Sequence, residues 1–205
     1  METKLLQAWH KLKPDGGPGH AAMGLDLLAR YAEPHRVYHG IEHLEDLMSW
    51  LEQLTPYLHE PQTVTWAIWF HDAIYHPDRS DNEAQSASLA EISMRAMGMP
   101  EVLISTVHHF IIATARHLPR TTHPDELWFL DMDLAILGSE PPAYNRYARA
   151  IRREYQMFQD EVYRAGRQRV LEGLLARPHI YQTAYCMVRL EEQARQNIWH
   201  ELQTL

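Results

Sequence analysis

The sequence predicts an all-α fold on three observations. Apolar residues recur with the period of a helix along almost the whole chain, strand-like alternation is scarce, and Pro or Gly marks the ends of several periodic runs. With 205 residues, 45% of them apolar and 22% charged, the chain can bury a sizeable core and is too hydrophobic for disorder, so one domain spanning residues 1–205 is expected.

The elements follow in order. A short N-terminal helix precedes a Pro/Gly turn at PDGGPG, and a second helix from about His20 to Ala32 is closed by Pro34. From Tyr38 onward Leu44, Leu47, Met48, Leu51 and Leu54 form one apolar stripe, with His39 and His43 at i and i+4 along its edge. Pro61 suits a first helical turn. In the run PQTVTWAIWFHDAIY that it opens, Val64, Ala67, Ile68, His71 and Ile74 share a face, which directs His71 inward. The SDNE of residues 80–83 has capping-box spacing and predicts a helix that Gly98 ends. Pro100 opens another, running through VLISTVHHFIIATARH. HPDELWFLDMDLAIL is strongly apolar yet carries Asp131 and Asp133, and Gly138 with the prolines after it stops that helix. Two or three longer helices, rich in Arg, Glu and Gln and broken near Pro178, fill Ala143 to Leu205.

The charge balance, 19 Lys plus Arg against 27 Asp plus Glu for a net −8, argues against nucleic-acid polymers and anionic membranes as partners, since both are bound through basic patches. A local basic pocket for one phosphate remains compatible with it. The lone Cys186 cannot form an intramolecular disulfide, METKLLQAWHKLKPDG has no apolar signal core, and no run reaches bilayer length. A cytoplasmic location is the expectation.

Fourteen histidines stand out, and their positions matter more than their number. Buried charge is costly unless it is paired or bound to a metal, so His71 on an apolar face, Asp72 beside it and Asp133 between Leu130 and Leu137 call for a common explanation. One metal ion supplies it. Each signal is weak alone; the evidence is the order His43, then His71-Asp72, then Asp133, each at an inward or edge position of a separate helix.

This order resembles the HD-domain superfamily of metal-dependent phosphohydrolases. YHGIEH is similar to the YHN-x-x-H element of cyclic-nucleotide phosphodiesterases within it, HDAIYHPDRSDNE to their HD-x-x-HPG-x-x-N segment, and DLAIL to their stretch around the last Asp. A bacterial group of predicted HD phosphohydrolases is more similar still. YHGIEH, WFHDAIY, SDNEAQSA, ATARH, FLDMDLAILG, IRREY and RAGRQRVL follow its motifs in order over roughly residues 30 to 200. Gly40 departs from the Asn of the phosphodiesterase element, and the His71 to His76 spacing is one residue longer than theirs.

The resemblance implies an HD-type helical bundle in which His43, His71, Asp72 and Asp133 ligate one or two divalent ions, with Asp72 able to bridge them. Mn, Fe, Co, Ni, Mg or Zn would suit that ligand set. It implies hydrolysis of a small phosphoester, a nucleotide first, whether monoester or diester, by metal-bound hydroxide, with His39 as general acid or, alternatively, as a group that orients ligand or substrate. Asn82, Glu83, His117, Arg152, Tyr155 and Arg167 become candidates for substrate contact, and His108, His109 and His117 for a second metal. Against these stand plain structural roles: a helix cap for Asn82 and Glu83, ion pairs for the arginines, and satisfied helix-edge positions for the histidines. Asp131 is the alternative to Asp133. Two rival functions remain, a catalytically idle metal- and nucleotide-binding module and an HD-type di-iron oxygenase. The expected partner is a small phosphorylated substrate, and a homodimer is left open.

Overall fold

A computed structural model describes residues 3–13 and 15–205, so Pro14 of the predicted PDGGPG turn lies outside the described residues. The all-α expectation holds. Among the described residues there are ten α-helices, two 3-10 turns and no strand. No helix among them is long and apolar enough to cross a membrane.

The chain divides into two compact units, Met1–Phe129 and Leu130–Leu205. The first contains α1 (Lys4–Leu12), α2 (Gly17–Tyr31), α3 (Ile41–Leu54), a 3-10 turn at Thr55–Tyr57, α4 (Pro61–Phe70), α5 (Asn82–Ala96), α6 (Glu101–Thr114) and the beginning of α7 (Pro124–Asp133). Its organising element is α4, which packs against α1, α3, α5 and α6. Every residue from Thr63 to Phe70 is buried, so the single inward face predicted for this stretch is a helix enclosed on all sides. Trp9, Trp66, Trp69 and Phe70 crowd around it with rings 5.0–6.3 Å apart.

Helix ends differ from the sequence expectation in ways that matter. The α3 helix begins at Ile41 rather than Tyr38, because Gly40 is extended and the His39 carbonyl, the natural acceptor for the His43 N–H, is taken by Arg36 at 3.2 Å. No capping box forms at Ser80–Glu83: α5 starts at Asn82, and its N-cap Asp81 makes no side-chain capping bond. Instead Asp81 accepts from Arg79 and Gln85. Gly98 ends that helix as expected, at φ 72, with the Met99 N–H returning to the Met94 carbonyl at 3.0 Å in a Schellman closure. The α6 helix stops at Thr114, three residues short of His117, which adopts a left-handed φ of 47 that histidine tolerates better than most residues.

Two fully buried acids open α7, and their neighbours explain why they are tolerated. Asp125 accepts the N–H groups of His59 and Glu60, and Glu126 those of Arg120 and Thr121 together with the Thr121 hydroxyl. Each carboxylate pins a loop to the helix.

The second unit holds the end of α7, a 3-10 turn at Ala135–Gly138, α8 (Pro141–Glu154), α9 (Asp160–Leu175) and α10 (Ala184–Thr204). Leu137, Tyr144, Leu171, Ile180, Tyr181, Ala194 and Ile198 form its core. Gly138 is required there, since a Cβ would lie 2.6–2.9 Å from Leu190 of α10. Within that core Arg167 makes a two-point ion pair with Glu201 at 2.7 and 3.0 Å, and Glu201 also accepts from Tyr144.

In the first unit, His20 stacks on Trp9 at 4.6 Å, and its buried Nε2 has no hydrogen-bond partner. Burial, with help from His10 and Lys13, lowers its pKa below the ordinary histidine value. The folded state therefore favours the neutral ring. Its contribution to stability is complete above about pH 6.5, where the unfolded chain is also neutral, and is lost as pH falls toward the lowered folded value. Urea unfolding at pH 7 and pH 5.5 should show a loss of stability on acidification that is smaller in His20→Phe, which keeps the stack without the titration. Equal losses in the two proteins would contradict this.

Candidate metal centre

Because α4 is enclosed, the residue that ends it emerges in the interior. That residue is His71, whose N–H completes the last helical bond to Ala67 at 2.9 Å and which is 1% exposed. Asp72 and Ala73 then form a tight turn, with the Ala73 N–H on the Phe70 carbonyl at 3.0 Å. His43, 4% exposed, arrives from the first turn of α3, which packs on α4. The His71 ring meets Phe129 edge-on at 5.9 Å, giving the histidine pair an apolar wall.

The donor atoms converge. His43 Nε2 lies 3.3 Å from His71 Nε2, His71 Nε2 lies 3.2 Å from Asp72 Oδ2, and His43 Nε2 lies 3.9 Å from that same oxygen. Ligands sharing one ion at about 2.0–2.2 Å sit about 3.0–3.6 Å from each other, so the two shorter separations already match and the third needs a small side-chain adjustment.

Tautomer matters as much as distance. His71 Nδ1 faces the Ile68 carbonyl at 2.9 Å, where it can only donate, so the proton resides on Nδ1 and Nε2 presents its lone pair to the cluster. The Tyr31 hydroxyl reaches the same carbonyl at 3.4 Å. Backbone geometry thus leaves His71 Nε2 able to coordinate an ion.

Asp133 is the last residue of α7 and is half-buried; one ligand atom each from His43, His71 and Asp133 fall within 4.8 Å of one another. These three residues could hold a metal ion. The alternative acid, Asp131, is fully committed elsewhere: it accepts from the Gln182 and Thr183 N–H groups and the Thr183 hydroxyl at 2.7–2.8 Å. Burial raises the pKa of its carboxyl, and these donors partly offset the rise. Asp131 therefore fixes the start of α10, with Thr183 as the N-cap.

His39 is placed differently from expectation. It lies in the turn before α3, not one helical turn from His43 on a common helix, yet the rings still approach at 5.9 Å because Gly40 folds the chain back. The half-buried His39 ring stacks on Tyr75 at 4.3 Å and stands edge-on to Tyr38 at 4.9 Å.

The remaining candidates divide. Asn82 donates to and accepts from the His76 backbone at 2.9 and 3.1 Å, and one turn on Ser86 does the same for Ile74 at 3.2 and 3.0 Å. The SDNE-x-x-S stretch therefore clamps the segment that follows His71-Asp72, while Glu83 beside it is half-buried. His117 is half-buried and falls outside the His43, His71, Asp133 group; His108 Nδ1 lies 3.2 Å from the Glu91 carboxylate without a well-formed hydrogen bond, and His109 bonds the Ser105 carbonyl. Arg152 holds the Tyr155 and Phe158 carbonyls and Asp160, which places the Tyr155 backbone in the same closure of α8 onto α9. Arg167 is engaged by Glu201 and Tyr147. Both arginines have structural roles as they stand.

One residue escaped the sequence reading. Arg36, buried between the rings of Tyr31 and Tyr75, holds the backbones of His39, Asp72 and Ala73. Its only sequence signal is its place three residues before His39, in a loop where an arginine reads as solvated.

The chain matches no protein-family model, no curated protein and no solved structure. The geometry of the cluster therefore carries the functional argument together with the motif order.

A ligand that binds only the folded state stabilises it, by about 2.7 kcal/mol at one hundred times its Kd. Mn(II) or Co(II) should accordingly raise the melting temperature of the chelator-treated wild type, and His71→Ala should abolish the shift. An equal shift in His71→Ala would place the ion elsewhere.

Proposed function

We propose that the protein is an HD-type, metal-dependent phosphohydrolase acting in the cytoplasm on a small phosphoester, with nucleotides as the first substrate class. The observation that carries this reading is the convergence of His43 Nε2, His71 Nε2 and Asp72 Oδ2 within 3.2–3.9 Å in the interior of the first unit. The motif order from YHGIEH to RAGRQRVL supports the phosphohydrolase class over other uses of such a cluster.

His43, His71, Asp72 and Asp133 would hold the ion. N and O donors of this kind accept Mn, Fe, Co, Ni, Zn or Mg, and availability selects among them. When bound, a divalent ion supplies a nucleophile at neutral pH by acidifying its water, and draws off charge at phosphorus. The chain's own groups do the rest. Ile68 keeps the His71 lone pair on Nε2, and the Phe129 wall keeps bulk water from that face. Hydrolysis then needs a proton for the departing alkoxide, and His39, whose ring lies 5.9 Å from that of His43, is the nearby imidazole that would supply it. Its stack on Tyr75 fixes the ring plane.

A leaving-group series tests both assignments. Asp72→Ala should lose metal and hydrolysis together. His39→Ala should keep the metal and lose about 10²–10⁴-fold in turnover of a nucleotide ester with an alkoxide leaving group. It should lose far less with a p-nitrophenyl ester, whose phenolate leaves without a proton. Full activity of His39→Ala on the alkoxide ester would show that another group is the acid.

A further inference from the structure

Arg36 belongs to no motif considered so far, yet its surroundings are those of a built site. The side chain is 1% exposed. Nε donates to Glu33 at 3.0 Å, Nη1 to the His39 carbonyl at 3.2 Å and to the Asp72 carbonyl at 2.5 Å, and Nη2 to the Ala73 carbonyl at 3.2 Å. The guanidinium carbon lies 5.3 Å from the Tyr31 ring and 5.6 Å from that of Tyr75.

A buried cation is costly, and one carboxylate with three neutral carbonyls is a large share of a guanidinium's donor capacity to commit to backbone. What those carbonyls have in common is where they lie. Two belong to the turn that presents the Asp72 carboxylate, and the third belongs to the residue whose position sets the His39 ring. Tyr75 touches both Arg36 and His39, and Tyr31 touches both Arg36 and the carbonyl that fixes the His71 tautomer. We infer that Arg36 is the positioning residue of the metal centre: a single planar fork that ties the His39 turn to the Asp72 turn, so that ligand and proton donor keep one spacing. This rests on the metal-centre reading and does not require that the substrate be a phosphoester.

Only a guanidinium can do this. A lysine ammonium keeps the charge but cannot span carbonyls on two turns with fixed directions. Loss of a group that orients metal ligands typically costs about 10–100-fold in metal affinity.

The test is a Co(II) titration of the chelator-treated protein, read by visible absorption, on Arg36→Lys and Arg36→Ala at a temperature where circular dichroism shows each to be folded. Both should bind Co(II) about 10–100-fold more weakly with an altered spectrum. Millimolar guanidinium ion should restore part of the affinity in Arg36→Ala but not in Arg36→Lys. A purely structural arginine would lower the melting temperature and leave affinity and spectrum of the folded fraction unchanged, and that result overturns the inference. Glu33→Gln guards against variants that fail to fold: it keeps the guanidinium but removes the carboxylate that holds Nε and so loosens the aim of the fork, for which a few-fold loss of Co(II) affinity is expected and no change would again overturn the inference. A wild type that binds Co(II) yet hydrolyses no phosphoester counts against the hydrolase reading alone, whereas variants that bind as the wild type does count against Arg36.

Discussion

The approach of His43 to His71, Nε2 to Nε2 at 3.3 Å, is the constraint around which the first unit is arranged. Two imidazoles brought ring nitrogen to ring nitrogen inside a core gain nothing from hydrophobic burial and sit beside a carboxylate. The fold nevertheless brings them together with much of its apparatus. It encloses α4 on every side so that its terminal residue emerges indoors, directs a main-chain carbonyl at Nδ1 so that Nε2 turns its lone pair to the cluster, and breaks α3 at Gly40 so that His39 lies near without sharing the helix. A cation shared by the donors relieves the arrangement, which is the physical reason to read it as a ligand set.

Side chains holding backbone recur throughout the molecule. Arg36 grips the His39 and Asp72 turns, Asn82 and Ser86 grip the segment after them, and Asp125 and Glu126 each hold a loop. Asp131 holds the entry to α10 in the second unit. An all-helical chain has no sheet to immobilise its connections, so buried polar groups do it, each satisfied by several donors or acceptors. The backbone on either side of the His71-Asp72 turn is held in this way by Arg36, Asn82 and Ser86.

Much of this could be read from the sequence. The helical period gave nearly every element, and the inward direction of His71 followed from its place after WAIWF. Asp133, chosen over Asp131 on the DLAIL likeness, falls in the group with His43 and His71, while Asp131 turns out to hold α10. What periodicity could not show was where helices stop. His39 and His43 at i and i+4 read as one helix because spacing carries no information about Gly40 or about an arginine taking the His39 carbonyl. SDNE read as a cap because capping boxes share that spacing, whereas Asn82 reaches a backbone six residues away. Arg36, Arg152 and Arg167 illustrate the largest blind spot. An arginine's partners are set by tertiary structure, and the sequence could not tell that Arg36 is buried at the site while Arg167 pairs with Glu201.

The central claim is that the His43, His71, Asp72 and Asp133 donors exist to hold a divalent ion. Its most direct test is elemental mass spectrometry of the untagged protein, purified anaerobically without chelator and again after equilibration with Mn, Fe, Co and Mg salts. At least one first-row ion per chain in the wild type, absent from His71→Ala carried through the same purification, is the predicted result. A wild type that takes up no ion under any of these conditions would contradict the account.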